Sequence, residues 1–332
     1  MSIADEHAGA GGDLQWKKIA TFLRNNASIA LIYGIIIVLA ITAAIFTQRF
    51  QNPANLINIL RQSIVIGLIA IGQSVVILTG GADMSVAMVA RIVALIVATV
   101  FAATNSNNDL ILPLILLGVV VGALLGCFNG VLITRTHANP FIITFGVANI
   151  LRGINLAIAT TPIMGIPSEF LKIYSMKLGI VPVNVLVIAV VWLLAWLFTT
   201  RAKPGRALFA VGGSEKVARL SGIRVNRTLV MAYVFSGVCA ALAGLFLLSR
   251  TGVGDPSAAE GMDFQSIVAV ALGGISLYGG KGSMIGTLGG VLLLSLLSNV
   301  FDLTQVNIYY QQLLLGMIVL IAVAAYKSPR SA

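Results

Sequence analysis

Charge is what this sequence has least of. Asp, Glu, Lys and Arg make up 10% of its 332 residues, against about a quarter in soluble domains. So few ionised groups cannot clothe a soluble domain of this size, and no polar segment is long enough to form a separate catalytic one. Cysteine is scarce too. Cys127 and Cys239 both lie inside apolar stretches, at no metal-ligand or disulfide-framework spacing. His7 and His137 are isolated from each other and from any carboxylate cluster. No nucleophile–base pair or acidic dyad stands out, so the sequence predicts no metal site, no catalytic residues and no enzyme. Acidic residues number 11. Asp83 and Asp263 fall near the ends of apolar stretches. Asp5, Glu6, Asp13, Asp109, Glu169, Glu215, Asp255, Glu260 and Asp302 fall in loops or tails. A transporter driven by protons or sodium usually needs a carboxylate deep in its bundle, and none is apparent.

Apolar residues are what the chain has in abundance, at 58%. Stretches of the roughly 20 residues that cross a bilayer as a helix recur from Ser28 almost to the C-terminus. They predict an all-α membrane protein of about ten spans, near 28–46, 57–79, 84–103, 110–134, 140–160, 183–201, 228–249, 263–280, 284–301 and 309–326. Residues 1–27 read as a cytoplasmic tail and interfacial segment, 28–326 as one transmembrane domain with a cytoplasmic loop at 202–227, and 327–332 as a second tail. The opening "MSIADEHAGAGGDLQW" is acidic and lacks the basic-then-apolar order of a secretory signal. Trp16 and Lys17 suit the headgroup level.

The net charge of +10 follows from topology. With the N-terminus inside, Lys17, Lys18, Arg24, Arg135, Arg201, Lys203, Arg206, Lys216, Arg219, Arg224, Arg227, Lys281, Lys327 and Arg330 are all cytoplasmic. Only Arg49, Lys172, Lys177 and Arg250 are outside, while Arg61, Arg91 and Arg152 lie within spans. Cytoplasmic loops collect Lys and Arg, so the pattern predicts both termini inside and leaves no basic surface for nucleic acid.

The densest glycine cluster is "ALGGISLYGGKGSMIGTLGG", residues 271–290. It is not a phosphate loop: Gly280-Lys281 is followed by Gly282 where Ser or Thr is needed, and Ile275 stands where the first Gly should be. Nor is it a dinucleotide fingerprint, because Ile285 replaces the third Gly. A tight turn between spans eight and nine, with glycines for positive φ and close approach, fits better. Gly118, Gly122, Gly126 and Gly130, and likewise Gly282, Gly286 and Gly290, recur every four residues and predict close helix packing.

The loop after Arg201 is the most informative polar segment. Pro204 and Gly205 end span six. Ser214 can cap a short helix, "EKVARLS" is helical in character, and Gly222 supplies a left-handed stop. Val217 and Leu220 share one face, flanked by Lys216 and Arg219. Such a helix can dock in another protein's groove or lie on the membrane surface.

"GRALFAVGGSEKVARLSGI" resembles the cytoplasmic loop of the ribose-type sugar permeases of bacterial ABC importers. "ILTGGADMSVAMV" is similar to that family's Gly-Gly-Ile-Asp-Leu-Ser-Val-Gly motif, and "NPFIITFGVANILRG" to its Pro-Phe-Ile-x-Thr-Leu-Gly…Arg-Gly segment. "GMDFQSIVAVALGGISLYGGKGSMIGTLGG" is similar to its Gly-x-Glu-Leu-x-x-Ile-Ala-Ala…Gly-Gly-x-Ser-Leu-x-Gly-Gly-x-Gly segment. The match runs in order from about residue 30 to 326. It implies the ABC importer permease fold and a chain working with a second copy of itself on a cytoplasmic ATPase, with a periplasmic sugar-binding protein, in the bacterial inner membrane. It also implies that ATP and magnesium bind to the ATPase, leaving no cofactor here. Ser214, Glu215, Lys216, Val217, Ala218, Arg219, Leu220, Ser221 and Gly222 would form the coupling helix. Gly80, Gly81, Asp83, Ser85, Gly279, Gly280 and Gly282 would be the hairpin motifs.

Several positions depart from the family pattern. Ser214 replaces a frequent Asn, Ala82 and Ala87 replace Ile and Gly, and Asp263 replaces Glu. Arg91 stands where a small or apolar residue is usual. It can snorkel toward the cytoplasm or line the pathway. Asn149, Arg152 and Asn155 are three apart on span five and can face the pathway or hold helices together. The wider alternatives are an ion-driven secondary transporter and an ABC permease for an amino acid or nucleoside.

Overall fold

The computed structural model describes residues 27–179 and 181–325. The expected tails, with Lys17, Lys18, Arg24, Lys327 and Arg330, lie outside the described residues. The chain is a helical bundle. In order it runs α1 (Ala27–Phe46), α2 (Pro53–Leu78), α3 (Val86–Ala103), α4 (Ile111–Thr136), α5 (Pro140–Ile158) and α6 (Ser168–Ser175). A two-residue β-hairpin follows, β1 (Lys177–Leu178) with β2 (Val181–Pro182). Then come α7 (Val183–Arg201), α8 (Lys203–Gly213), α9 (Glu215–Leu220), α10 (Val225–Thr251), α11 (Met262–Leu272), α12 (Met284–Leu303) and α13 (Ile308–Ala325).

Among the described residues, eight helices are long and apolar enough to cross a membrane: α1 to α5, α7, α10 and α12. The expected span at 263–280 is not one of them. Its helix, α11, holds 11 residues, about 17 Å at 1.5 Å per residue, against a hydrocarbon core of about 30 Å. Helix ends at Leu272 because Gly273 and Gly274 follow, the latter at φ +84°. Residues 252–261 approach α11 as an irregular segment that pairs with the connection after α5: Ile163 and Gly254 exchange two backbone hydrogen bonds of 2.9 Å.

The core is α2 and α10. Every residue of α2 from Ser63 to Leu78 is buried, the mark of a helix enclosed by others rather than one facing lipid on one side. The glycines of α4 explain its contact with α10. A Cβ on Gly122 would come within 2.4 Å of Gly237 O, and one on Gly126 within 2.2 Å of Tyr233 O, so the two backbones touch where a methyl group would separate them. Gly286 and Gly290 bring α12 equally close to α11, on Gly273 O and Ala269 O. Gly282 is outside that stripe: it precedes α12, in the turn.

Candidate functional site

The bundle has one end marked by α8 and α9 and a far end opposite. The sequence predicted one short helix in this loop and missed α8, which begins on Pro204 in its first turn. Gly205 lets α8 fold back on α7: its absent Cβ would sit 1.9 Å from Phe198 O. Ser214 Oγ accepts from Val217 N–H at 3.3 Å and opens α9, and Gly222 at φ +80° closes it. Ala218 is buried against Val211 and Val225, while Val217 and Leu220 stand 60% and 81% exposed. Arg219 is held by Glu215 at 2.8 Å and Asn226 at 3.3 Å. Lys216, Ser221 and Gly222 are exposed.

Behind α9 the two hairpin motifs meet. Gly280 N–H donates to Leu78 O at 3.0 Å. Gly279 packs on Gly80, and Gly280 on Gly212 and Gly213, with backbone atoms where a Cβ would lie. Gly81 packs on the Tyr233 ring hydroxyl. The predicted turn is therefore a backbone joint between the α2–α3 turn, the end of α8 and the turn before α12.

Asp83 lies deeper than its place at a span end suggested. It is 1% exposed, and its carboxylate accepts from Ser85 N (3.0 Å), Ser85 Oγ (2.6 Å) and Ser236 Oγ (2.9 Å). Asn129 donates to Ser85 Oγ at 2.8 Å. Gln73, its amide turned to satisfy both groups, pairs with the Asp83 backbone at 3.1 and 3.2 Å. Thr144 Oγ1 accepts from Met84 N–H at 3.0 Å. Five elements thus close one polar knot inside the bundle.

A second polar group forms around the 252–261 segment. Arg91 does not reach toward the α8–α9 end. It is 3% exposed, and its guanidinium donates to Ala258 O (2.6 Å) and Ser257 O (3.3 Å). Carbonyls of the irregular segment satisfy the guanidinium inside the bundle, so it does not snorkel. Arg152, twelve residues into α5 and so about 18 Å along it, pairs with Glu260 at 3.1 Å, the two side chains 56% and 62% exposed on the bundle surface. Asn149 is exposed beside it and donates to Phe145 O. Asn155 turns inward instead: it is fully buried against Met88, and its Oδ1 has no hydrogen-bond partner among the described residues. The strip on α5 therefore divides, two residues out and one in. Glu260, Ser236, Asn129 and Gln73 were not picked out in the sequence. Ser236 and Asn129 are single polar residues within apolar spans and Gln73 stands next to Ser74 inside another, the local signal that marks them.

A model of the family described as branched-chain amino acid transport system / permease component matches residues 55–323. Ribose import permease protein RbsC of Bacillus subtilis (strain 168) is 38% identical over 290 residues, 86% of this chain and 88% of its own. The chain belongs to the sugar-type ABC permeases. This permease is also 35% identical to D-allose transport system permease protein AlsC of Escherichia coli (strain K12), over 88% of the chain and 90% of that protein. With fructose import permease protein FrcC of Rhizobium meliloti it shares 31% over 93% of the chain and 87% of that protein. No solved structure matches it. Permeases of this family are transport proteins rather than enzymes, and this one is a multi-pass membrane protein.

Proposed function

We propose that this permease, paired with a second copy of itself, forms the pathway of an ATP-driven importer for a monosaccharide or related polyol. In this reading α9 seats in a cytoplasmic ATPase subunit, which binds ATP and magnesium; this chain binds neither. A periplasmic binding protein delivers the solute at the far end, both termini are cytoplasmic, and the membrane is the bacterial inner membrane. The observation that carries the reading is α9 itself: Val217 and Leu220 project from a helix whose other side, at Ala218, is buried against its own loop. Exposed apolar side chains on a short capped helix fit a partner's groove. The printed substrates of the relatives, ribose, allose and fructose, support a sugar.

The Arg152–Glu260 pair supports the paired arrangement. Charges exposed at mid-helix depth are costly against lipid, so this face of the protomer meets water or a second copy. An ion-driven mechanism draws less support. Asp83 is a deep carboxylate, but both its oxygens are engaged by serine donors.

The test is to tag the permease, extract it from its own host, and identify what co-purifies. Recovery of an ATPase subunit, reduced by Lys216→Glu or Leu220→Asp, is the expected result. Recovery of this chain alone, active in ATP-free vesicles under an ion gradient, overturns the proposal.

A further inference from the structure

A cleft of about 200 Å³ lies toward the far end of the bundle. Six polar side chains converge on it from four helices: Gln62 of α2, Arg250 of α10, Gln265 of α11, and Ser295, Ser298 and Asp302 of α12. Among the described residues, none of these six side chains has a protein partner for a hydrogen bond or ion pair. Arg250 and Asp302 stand at the rim, next to the last residues of their helices. Ser295 lies eight residues in from Leu303, and Gln62 nine in from Pro53, so the cleft reaches about 12–14 Å down the helices. Polar groups at that depth are not left facing hydrocarbon. Groups that make no protein hydrogen bond here are open to hydrogen-bond with a polar solute.

We infer that this cleft is a receiving site on the permease for a neutral, hydroxyl-rich solute of monosaccharide size. The inference rests on the importer reading and names where the solute first meets this chain. Amides and hydroxyls each donate and accept, as sugar hydroxyls do. Arg250 and Asp302 bring opposite charges, so the cleft has no net preference for an ion. The volume is below the roughly 300 Å³ at which pockets for drug-sized ligands begin. A larger cavity of about 510 Å³ between α2, α7 and α12 offers no such chemistry, since its lining is almost wholly apolar. The cleft also leads onward. Gln265 and Leu294 line a neighbouring cavity of about 590 Å³ that reaches Glu260, the partner of Arg152. Gln265 thus stands between the cleft and the exposed Arg152–Glu260 pair.

The experiment uses the complete importer in proteoliposomes: permease, co-purified ATPase and binding protein. Uptake of ribose, allose and fructose and ATPase stimulation by the loaded binding protein are measured together. Gln265→Leu and the double variant Gln62→Leu/Gln265→Leu are compared with the native chain. The expected result is about a tenfold loss of uptake per ATP hydrolysed in the double variant, with ATPase stimulation retained and a smaller loss in the single one. Ser298→Ala, which removes one hydroxyl and no bulk, should shift the preference among the three sugars. Uptake per ATP within twofold of native in all three variants overturns the inference. So does a parallel fall of uptake and ATPase stimulation, which assigns the residues to structure. A native importer that takes up none of the three sugars, nor any other monosaccharide or polyol offered with its binding protein, overturns the functional reading, a result visible before any variant is made.

Discussion

Ser236 Oγ donates to Asp83 Oδ2 at 2.9 Å. This bond ties α10, which leaves the loop directly after α9, to the turn between α2 and α3. Asp83 is fully enclosed, so its donors have no water to replace it. Asp83→Ala leaves Ser85 N–H and two hydroxyls without their acceptor and should cost about 2–4 kcal/mol. Asp83→Asn, which keeps one oxygen, should cost less. Thermal unfolding of the purified permease in detergent reads both.

Gly126 and Gly34 separate packing from helix propensity. A methyl group on Gly126 meets Tyr233 O at 2.2 Å, whereas one on Gly34 meets nothing within 4 Å. Gly126→Ala should destabilise by about 1–3 kcal/mol by forcing α4 off α10. Gly34→Ala should be neutral or slightly stabilising. Equal melting temperatures for the two variants would show that the α4–α10 contact is looser than the backbone distances indicate.

Arg152 and Glu260 invite a charge exchange. Arg152→Glu sets two carboxylates side by side, and Glu260→Arg sets two guanidinium groups side by side. Each single reversal should cut transport about tenfold, and the double reversal should recover much of it, the signature of a direct coupling. Independent, additive losses would mean that each residue acts alone.

Arg91 anchors an otherwise irregular segment by two carbonyls. Arg91→Leu leaves both unpaired, at about 1–3 kcal/mol each, and should speed amide exchange at residues 254–261 while leaving α9 unchanged. Arg91→Lys has one ammonium for two acceptors and should fall between. Exchange at 254–261 that matches the native chain would remove Arg91 from this role.

Much of the bundle was legible in the sequence because crossing a bilayer is a local demand. About 20 apolar residues in a row announce a helix wherever its neighbours lie. The Ser214 cap and the Gly222 stop were legible for the same reason, since each acts on backbone a few residues away. The failure at 263–280 has the same origin. Hydropathy alone counts apolar residues, and α11 with its glycine turn contains enough of them without forming one helix.

The sequence by itself determined that this chain lives in a membrane, roughly where its eight long apolar helices run, and which loop carries the capped helix α9. Only the tertiary structure decided which polar residues meet. Asp83 and Ser236 are 153 residues apart, Arg91 and Ala258 167, and Arg152 and Glu260 108. A polar group withdrawn from water must find its partner wherever packing brings one, and packing joins segments that no local pattern connects.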